Sequence, residues 1–259
     1  MSDMTALSSA PEVRALGRAD LQAAWRAGWA DFARAPAFGL FFAAVYVAGG
    51  VFLWWALTTQ GQIWWTIPMT LGFPLLGPFI AIGLYEVSRC LERGERPRWS
   101  AVLGAIARER GRQIPPLAAV IVVFFLFWNF LAHMIFALFM GLQVMTNVSS
   151  SFEVYLTANG LMMLGIGTLV GAVFSAVLYS ATVISLPLLL DREVDFVTAM
   201  LTSFATVRAS PVVMLGWGAA IAALTLVSML PAFLGLFVSL PVIGHASWHL
   251  YRRALPPQG

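Results

Sequence analysis

From Pro211 to Leu250 the chain runs for about 40 residues without a charged side chain, twice what a helix needs to cross a hydrocarbon layer about 30 Å thick. A soluble fold has no place for such a run, so lipid must be the solvent for much of this chain. Pro231, in Met229-Leu230-Pro231-Ala232, removes a backbone donor and divides the run into spans at 211–230 and 232–250. Four further apolar runs lie at 37–57, 63–88, 114–140 and 161–190. Only helices and closed barrels satisfy every backbone group in lipid, and these runs have helix length. The expected fold is therefore all-α: a polytopic transmembrane helical bundle of six spans forming one membrane domain over 18–253, with tails at 1–17 (disordered) and 254–259.

The charges lie where this reading needs them. Only 10% of residues are charged, against about 25% in soluble domains, and 60% are hydrophobic. All 15 basic residues are arginines, and each lies outside the apolar runs. That scatter through connectors is not the basic patch of a nucleic-acid binder, so no nucleic-acid partner is expected and the bilayer is the first partner. With a cytoplasmic N-terminus, six spans keep every arginine on the inner side, as the positive-inside rule requires. Five spans would put Arg252 and Arg253 outside. Cys90, the single cysteine, can form no internal disulfide.

Three connectors before spans one, three and five have the period of amphipathic helices. Leu21, Trp25, Trp29 and Phe32 share one face; so do Trp99, Val102, Leu103 and Ile106; so do Phe196, Met200, Phe204 and Val207. These helices are expected on the cytoplasmic surface, where tryptophan rings sit at the boundary and arginines stay wet. Packing of the same faces against the protein's own helix ends is the other reading, and the two are compatible. Trp25, Trp29, Trp64, Trp65, Trp99 and Trp248 are the expected interfacial anchors. The intervals Asp20–Pro36, Trp99–Pro115 and Asp195–Pro211 are each 16 residues, which suggests three units of surface helix plus hairpin, although unit lengths differ and an apolar sequence can produce this by chance.

Few residues could carry chemistry. The second span contains Gly72, Pro74, Gly77, Pro78 and Gly83, which predict a helix broken at Pro74 and Pro78, and ends in Glu86 with Arg89 three residues on. A structural ion pair and a proton or cation site are both consistent with that pair. Asn129 and His133 are spaced to share a face and to hydrogen-bond across helices. His245 and His249 have a spacing seen in metal sites but no third ligand nearby, which favours packing at the interface. By helix rise, His133 and His245 differ in height by about 15–20 Å, too far for one metal. Gly167, Gly171 and Ser175 form a small-residue stripe on the fourth span that would admit a close neighbour, and that long span should bend near Pro187. No catalytic residue, metal site or cofactor is expected.

Trp29-Ala30-Asp31-Phe32, Gly39-Leu40-Phe41-Phe42, 72–79 and Gly83-Leu84-Tyr85-Glu86-Val87-Ser88-Arg89, with 188–196 and 240–253, resemble a family of bacterial inner-membrane proteins grouped as a domain of unknown function. Some members of that family are labelled cytochrome c oxidase subunits. The resemblance implies a multi-pass protein of the bacterial inner (cytoplasmic) membrane but supplies no activity. Three histidines at mismatched heights cannot serve a catalytic oxidase subunit, so only an accessory or assembly role fits that label. The expected function is thus a non-enzymatic accessory or assembly component of a larger, respiratory or other, membrane complex, with a membrane-protein partner or a second copy. The alternative is a small-solute or ion transporter or channel using the broken second span and Glu86.

Overall fold

The computed structural model describes residues 12–59, 66–141 and 155–256, and among them every regular element is helical. The helices are α1 (Arg18–Arg34), α2 (Pro36–Thr59), α3 (Thr66–Glu92), α4 (Trp99–Glu109), α5 (Ile114–Met140), α6 (Ala158–Thr182), α7 (Ser185–Asp191), α8 (Phe196–Ala209), α9 (Pro211–Met229) and α10 (Leu236–Ala254). Their boundaries follow local chemistry. Prolines open α2, α5 and α9, where a missing N–H costs no intrahelical bond. Asp195 caps α8 through the Val197 and Thr198 amides, and the Thr198 hydroxyl and amide hold its carboxyl below the ordinary range. The expected bend near Pro187 is a full break. The proline ring cannot accept the carbonyl four residues back, and α6 ends at Thr182 before α7 restarts at Ser185.

Four segments combine the length and hydropathy of a membrane span: Pro36–Ala56, Ile114–Met140, Ala158–Asp191 and Pro211–Met229. Among the described residues neither the expected second span, 63–88, nor the sixth, 232–250, is one of these four, and the sixth differs in its surroundings. After the turn at Leu230–Gly235, where Ala232 and Phe233 take positive φ, α10 becomes the enclosed axis of the bundle, with α1, α2, α3 and α9 around it. Trp248, Leu250, Tyr251, Ala254 and Leu255 are completely buried. In contrast α5 and α6 pair with one another at the margin and turn large apolar side chains outward, among them Val123, Phe130, Leu138, Leu161 and Leu169.

Several expectations need correction. α3 is continuous through Pro74 and Pro78, so the prolines do not break it; the Pro74 side chain lies outside the described set, and Pro78 is buried. A proline leaves one carbonyl without its helical donor, and neighbouring helices can tolerate that in a packed bundle. The tails are ordered where they touch the bundle. Leu16 is buried with its N–H on the Ser210 hydroxyl (2.7 Å), and the Arg14 N–H donates to Ala254 (2.9 Å). Arg192 donates to the carbonyls of Leu255 (3.1 Å) and Pro256 (2.7 Å). Hence 12–17 and 254–256 belong to the domain.

The connector helices exist, and their expected faces pack on the protein in part. Val102 and Val207 are buried and Leu21, Trp25, Ile106, Phe196 and Met200 lie against the core, but the most buried positions are rotated toward small and polar residues. α1 buries Asp20, Ala24, Gly28 and Asp31, one residue out of register with the bulky set, while Trp29 is 44% exposed. α4 buries Val102, Ala105 and Glu109 and exposes Trp99 and Leu103. α8 buries Ala199, Thr202, Ser203, Thr206 and Val207 and exposes Val197 and Leu201. Small and hydroxyl side chains let these helices sit close to the bundle, and the Ser203 hydroxyl accepts the Ile184 N–H at the α6–α7 break (3.1 Å).

Candidate functional site

The polar side chains of α1, α3, α7 and α10 converge in one layer at the arginine-rich end of the bundle. Glu86 and Arg89, one turn apart at the end of α3, form the expected ion pair at 2.5 Å, and Arg89 also donates to the Leu190 carbonyl on α7 (3.1 Å). Glu86 is 5% exposed. A charge so enclosed needs its partner, so the pair fixes the α3–α7 contact rather than adding much stability. Glu92 accepts from the Trp248 indole (3.1 Å) and from Arg252 (3.0 Å); Asp191 accepts from the Tyr251 hydroxyl (2.6 Å) and Arg252 (3.2 Å). Asp20 accepts from the Gly17 N–H (2.9 Å), Arg14 (2.8 Å) and Arg253 (3.3 Å); the Gly17 bond above all holds its carboxyl low. Cys90 is buried beside Glu86, and burial, reinforced by that carboxylate, pushes its thiol up, away from reactive thiolate.

The histidines of α10 are separated by their partners. His245, completely buried, shares a hydrogen bond with the Ser88 hydroxyl on α3 (2.8 Å), and its Nε2 has no partner among the described residues. His249 Nε2 meets Asp31 on α1 at 2.7 Å. They therefore tie two different helices to α10. Among the described residues no three His, Cys, Asp or Glu side chains gather as metal ligands would. Trp248 is core, not an interfacial anchor, because its ring lies against Tyr85 and Tyr251 and its N–H is spent on Glu92. Trp25 is half-buried and meets Trp217 edge-on at 5.7 Å. Trp29 and Trp99 keep exposed faces, and Trp64 and Trp65 lie outside the described residues.

On α5 the cross-helix hydrogen bonds expected of Asn129 and His133 are replaced by local ones. The Asn129 amide donates to Phe125 O (2.9 Å), and His133 Nδ1 lies 2.7 Å from Asn129 O, each one turn back on the same helix. A carbonyl four residues back is always within reach of a short polar side chain, so no neighbour is needed. The small-residue stripe is divided as well. Trp128 of α5 lies over Gly171, whereas Gly167 faces open space and Ser175 is exposed.

One feature was not legible from spacing. Beside the polar layer, a cavity of about 240 Å³ lies among α2, α3, α6, α7, α9 and α10. Gly77 and Gly244 are in its wall, and Tyr46, Tyr85, Tyr179, Thr182 and Ser247 are its hydroxyl-bearing lining residues. Among the described residues no charged side chain lines it. Glu86 is absent from its wall, being turned toward Arg89 and Cys90. The signal in the sequence was a set of three tyrosines and two glycines on four different helices, which only the tertiary fold assembles.

Residues 66–191, just under half of the chain, match a family model described as "Predicted integral membrane protein (DUF2189)". No curated protein and no solved structure matches this chain. With four helices of span length and hydropathy and this similarity, the chain is an integral membrane protein of helical architecture, similar over α3 to α7 to an uncharacterised membrane domain family.

Proposed function

We propose that this is a non-enzymatic accessory or assembly component of a larger membrane complex, seated in a bacterial inner membrane by six spans with both termini cytoplasmic. The observation that carries the reading is the outward face of α5, where His133 is exposed among Val123, Phe127, Phe130, Met134 and Leu138. Ionisable side chains within spans face a protein interior or a wet cavity, because lipid offers them nothing. The interior that His133 faces is then supplied by another polypeptide or a second copy. On α6 the exposed Gly165, Thr168, Ala172 and Ser175 follow the same helical spacing, which suits close helix approach. The transport reading keeps the cavity but loses its two original supports, since α3 is unbroken and Glu86 is locked to Arg89.

A photo-crosslinking residue at Phe130 or Ser175 is expected to yield an adduct with a second polypeptide, whose mass separates another copy from a different protein. His133→Leu should cut recovery of that adduct at least fivefold while leaving the isolated chain folded. A monomer whose crosslinks stay within its own chain would end this reading.

Six spans and the orientation rest on the meeting of arginine-bearing ends. The C-terminal ends of α3, α7 and α10 share the ion pairs described above, and α5 and α8 begin beside them through Arg112, Glu193, Gln113 and Phe196. In a Cys90→Ser background, a membrane-impermeant maleimide should label Glu193→Cys in inverted vesicles only and Leu156→Cys in spheroplasts only. The opposite pattern would reverse the topology.

A further inference from the structure

We propose that the cavity bounded by Tyr85 and Ser247 is a binding site for an uncharged, lipid-soluble carbonyl compound: an apolar ring or short chain whose oxygen accepts hydrogen bonds from these two hydroxyls. Tyr85 and Ser247 are each 6% exposed, both line the cavity, and neither hydroxyl has a partner among the described residues. Most buried hydroxyls of the protein are paired, although Ser239, which does not line this cavity, is also buried without a partner among the described residues. Ser180, Thr182, Ser185, Thr202 and Thr206 all donate to the carbonyl four residues back, and Tyr179 donates to Met214 O at 2.7 Å. Ser247 has the carbonyl of Ile243 equally within helical reach and does not use it. Buried hydroxyls left unpaired are costly, so two of them on one cavity point to a ligand that completes them.

The walls define the rest of the ligand. Phe42, Leu84, Ile243 and Leu186 make them apolar, and no arginine, carboxylate or histidine takes part, so a charged head would be buried without a counter-charge. A hydroxyl can donate or accept, but two donors on one cavity match the two lone pairs of a carbonyl oxygen. At about 240 Å³ the space exceeds the roughly 150 Å³ cavity that holds benzene and falls below the usual drug-sized pocket. A fused ring pair with one ketone fits, whereas a whole phospholipid does not. Tyr179, Ile221 and Gly77 are only half-buried, while Tyr85 and Ser247 are buried, so the polar end is the deep one. The ligand enters apolar end last.

The test uses the full-length protein in lipid nanodiscs with two probes of one shape, 2-acetylnaphthalene and 2-ethylnaphthalene, which differ in the ketone oxygen. Binding is followed by probe fluorescence and by equilibrium dialysis. The ketone should bind saturably, with affinity falling roughly three- to tenfold in Tyr85→Phe and again in Ser247→Ala, the effect of one hydrogen bond each. The hydrocarbon should bind wild type and variants alike, which shows that the cavity survives the substitutions. No saturable binding of the ketone overturns the proposal, and so does any pattern in which the two probes respond equally to the loss of the hydroxyls.

Discussion

Trp248→Ala is expected to destabilise the purified protein by about 3–5 kcal/mol, the usual result of emptying a large aromatic site in a packed core. The ring is completely buried, lies 5.5 Å from Tyr251 and 6.2 Å from Tyr85 between centroids, and holds Glu92 by its indole N–H at 3.1 Å. Alanine therefore removes packing from α3 and α10 together and leaves Glu92 with Arg252 alone. The same change at Trp29, 44% exposed, should cost no more than about 0.5 kcal/mol in detergent, where no headgroup layer is present. Unfolding in mixed micelles with rising dodecyl sulfate, followed by circular dichroism, separates the two. Equal small losses would show that Trp248 is the peripheral anchor that its neighbours in sequence, His249, Tyr251 and Arg252, suggest.

The contrast between those tryptophans shows what the sequence could and could not convey. Four of the six expected span positions were legible because a long apolar run has one solution in lipid: the expected 114–140 is α5 to the residue, and 211–230 is α9 within one. Which side of a helix packs closest on the protein was legible only in part, since Val102 and Val207 of the expected faces are buried but Trp29, Trp99 and Leu103 are exposed. In water an apolar stripe marks the core, but against lipid large apolar side chains are at home outside, so a hydrophobic stripe loses its sign. That is why α1 turns Ala24 and Gly28 inward and Trp29 outward. A search for small residues and acids at helical spacing, Asp20, Ala24, Gly28 and Asp31, would have found the buried face. The same ambiguity hid α10. Its histidines read as packing at the interfacial end of a last span, although they and the terminal arginines find partners on α1, α3 or α7 that lie between 61 and 233 positions away in the chain. The Glu86–Arg89 pair was legible because both partners lie on one helical turn.

The small and acidic residues at its contact make the seating of α1 the point where substitution should do most damage. A Cβ added at Gly28 would lie 2.7 Å from the Ala246 nitrogen and 2.8 Å from the Val242 carbonyl oxygen, both backbone atoms of the central helix. A side chain can rotate away from such a contact, but a backbone cannot, so α1 would have to lift off α10. Lifting would stretch the bond between His249 and Asp31 (2.7 Å) and the contact of Arg253 with Asp20 (3.3 Å), the polar ties on either side of Gly28. Helix propensity pulls the other way, since alanine is favoured over glycine in a helix by about 1 kcal/mol. Gly28→Ala thus sets propensity against packing, and the expected net loss of about 1–3 kcal/mol gives the sign to packing. Gly28→Leu should exceed about 3 kcal/mol and release α1, visible as new tryptic cleavage at Arg26 and Arg34 while α5 and α6 remain protected. Gly216→Ala on α9, where an added Cβ meets nothing within 4 Å, is the control and should gain up to about 1 kcal/mol. If Gly28→Ala gains as Gly216→Ala does, α1 is not seated on α10 and the polar layer is not the brace that its distances describe.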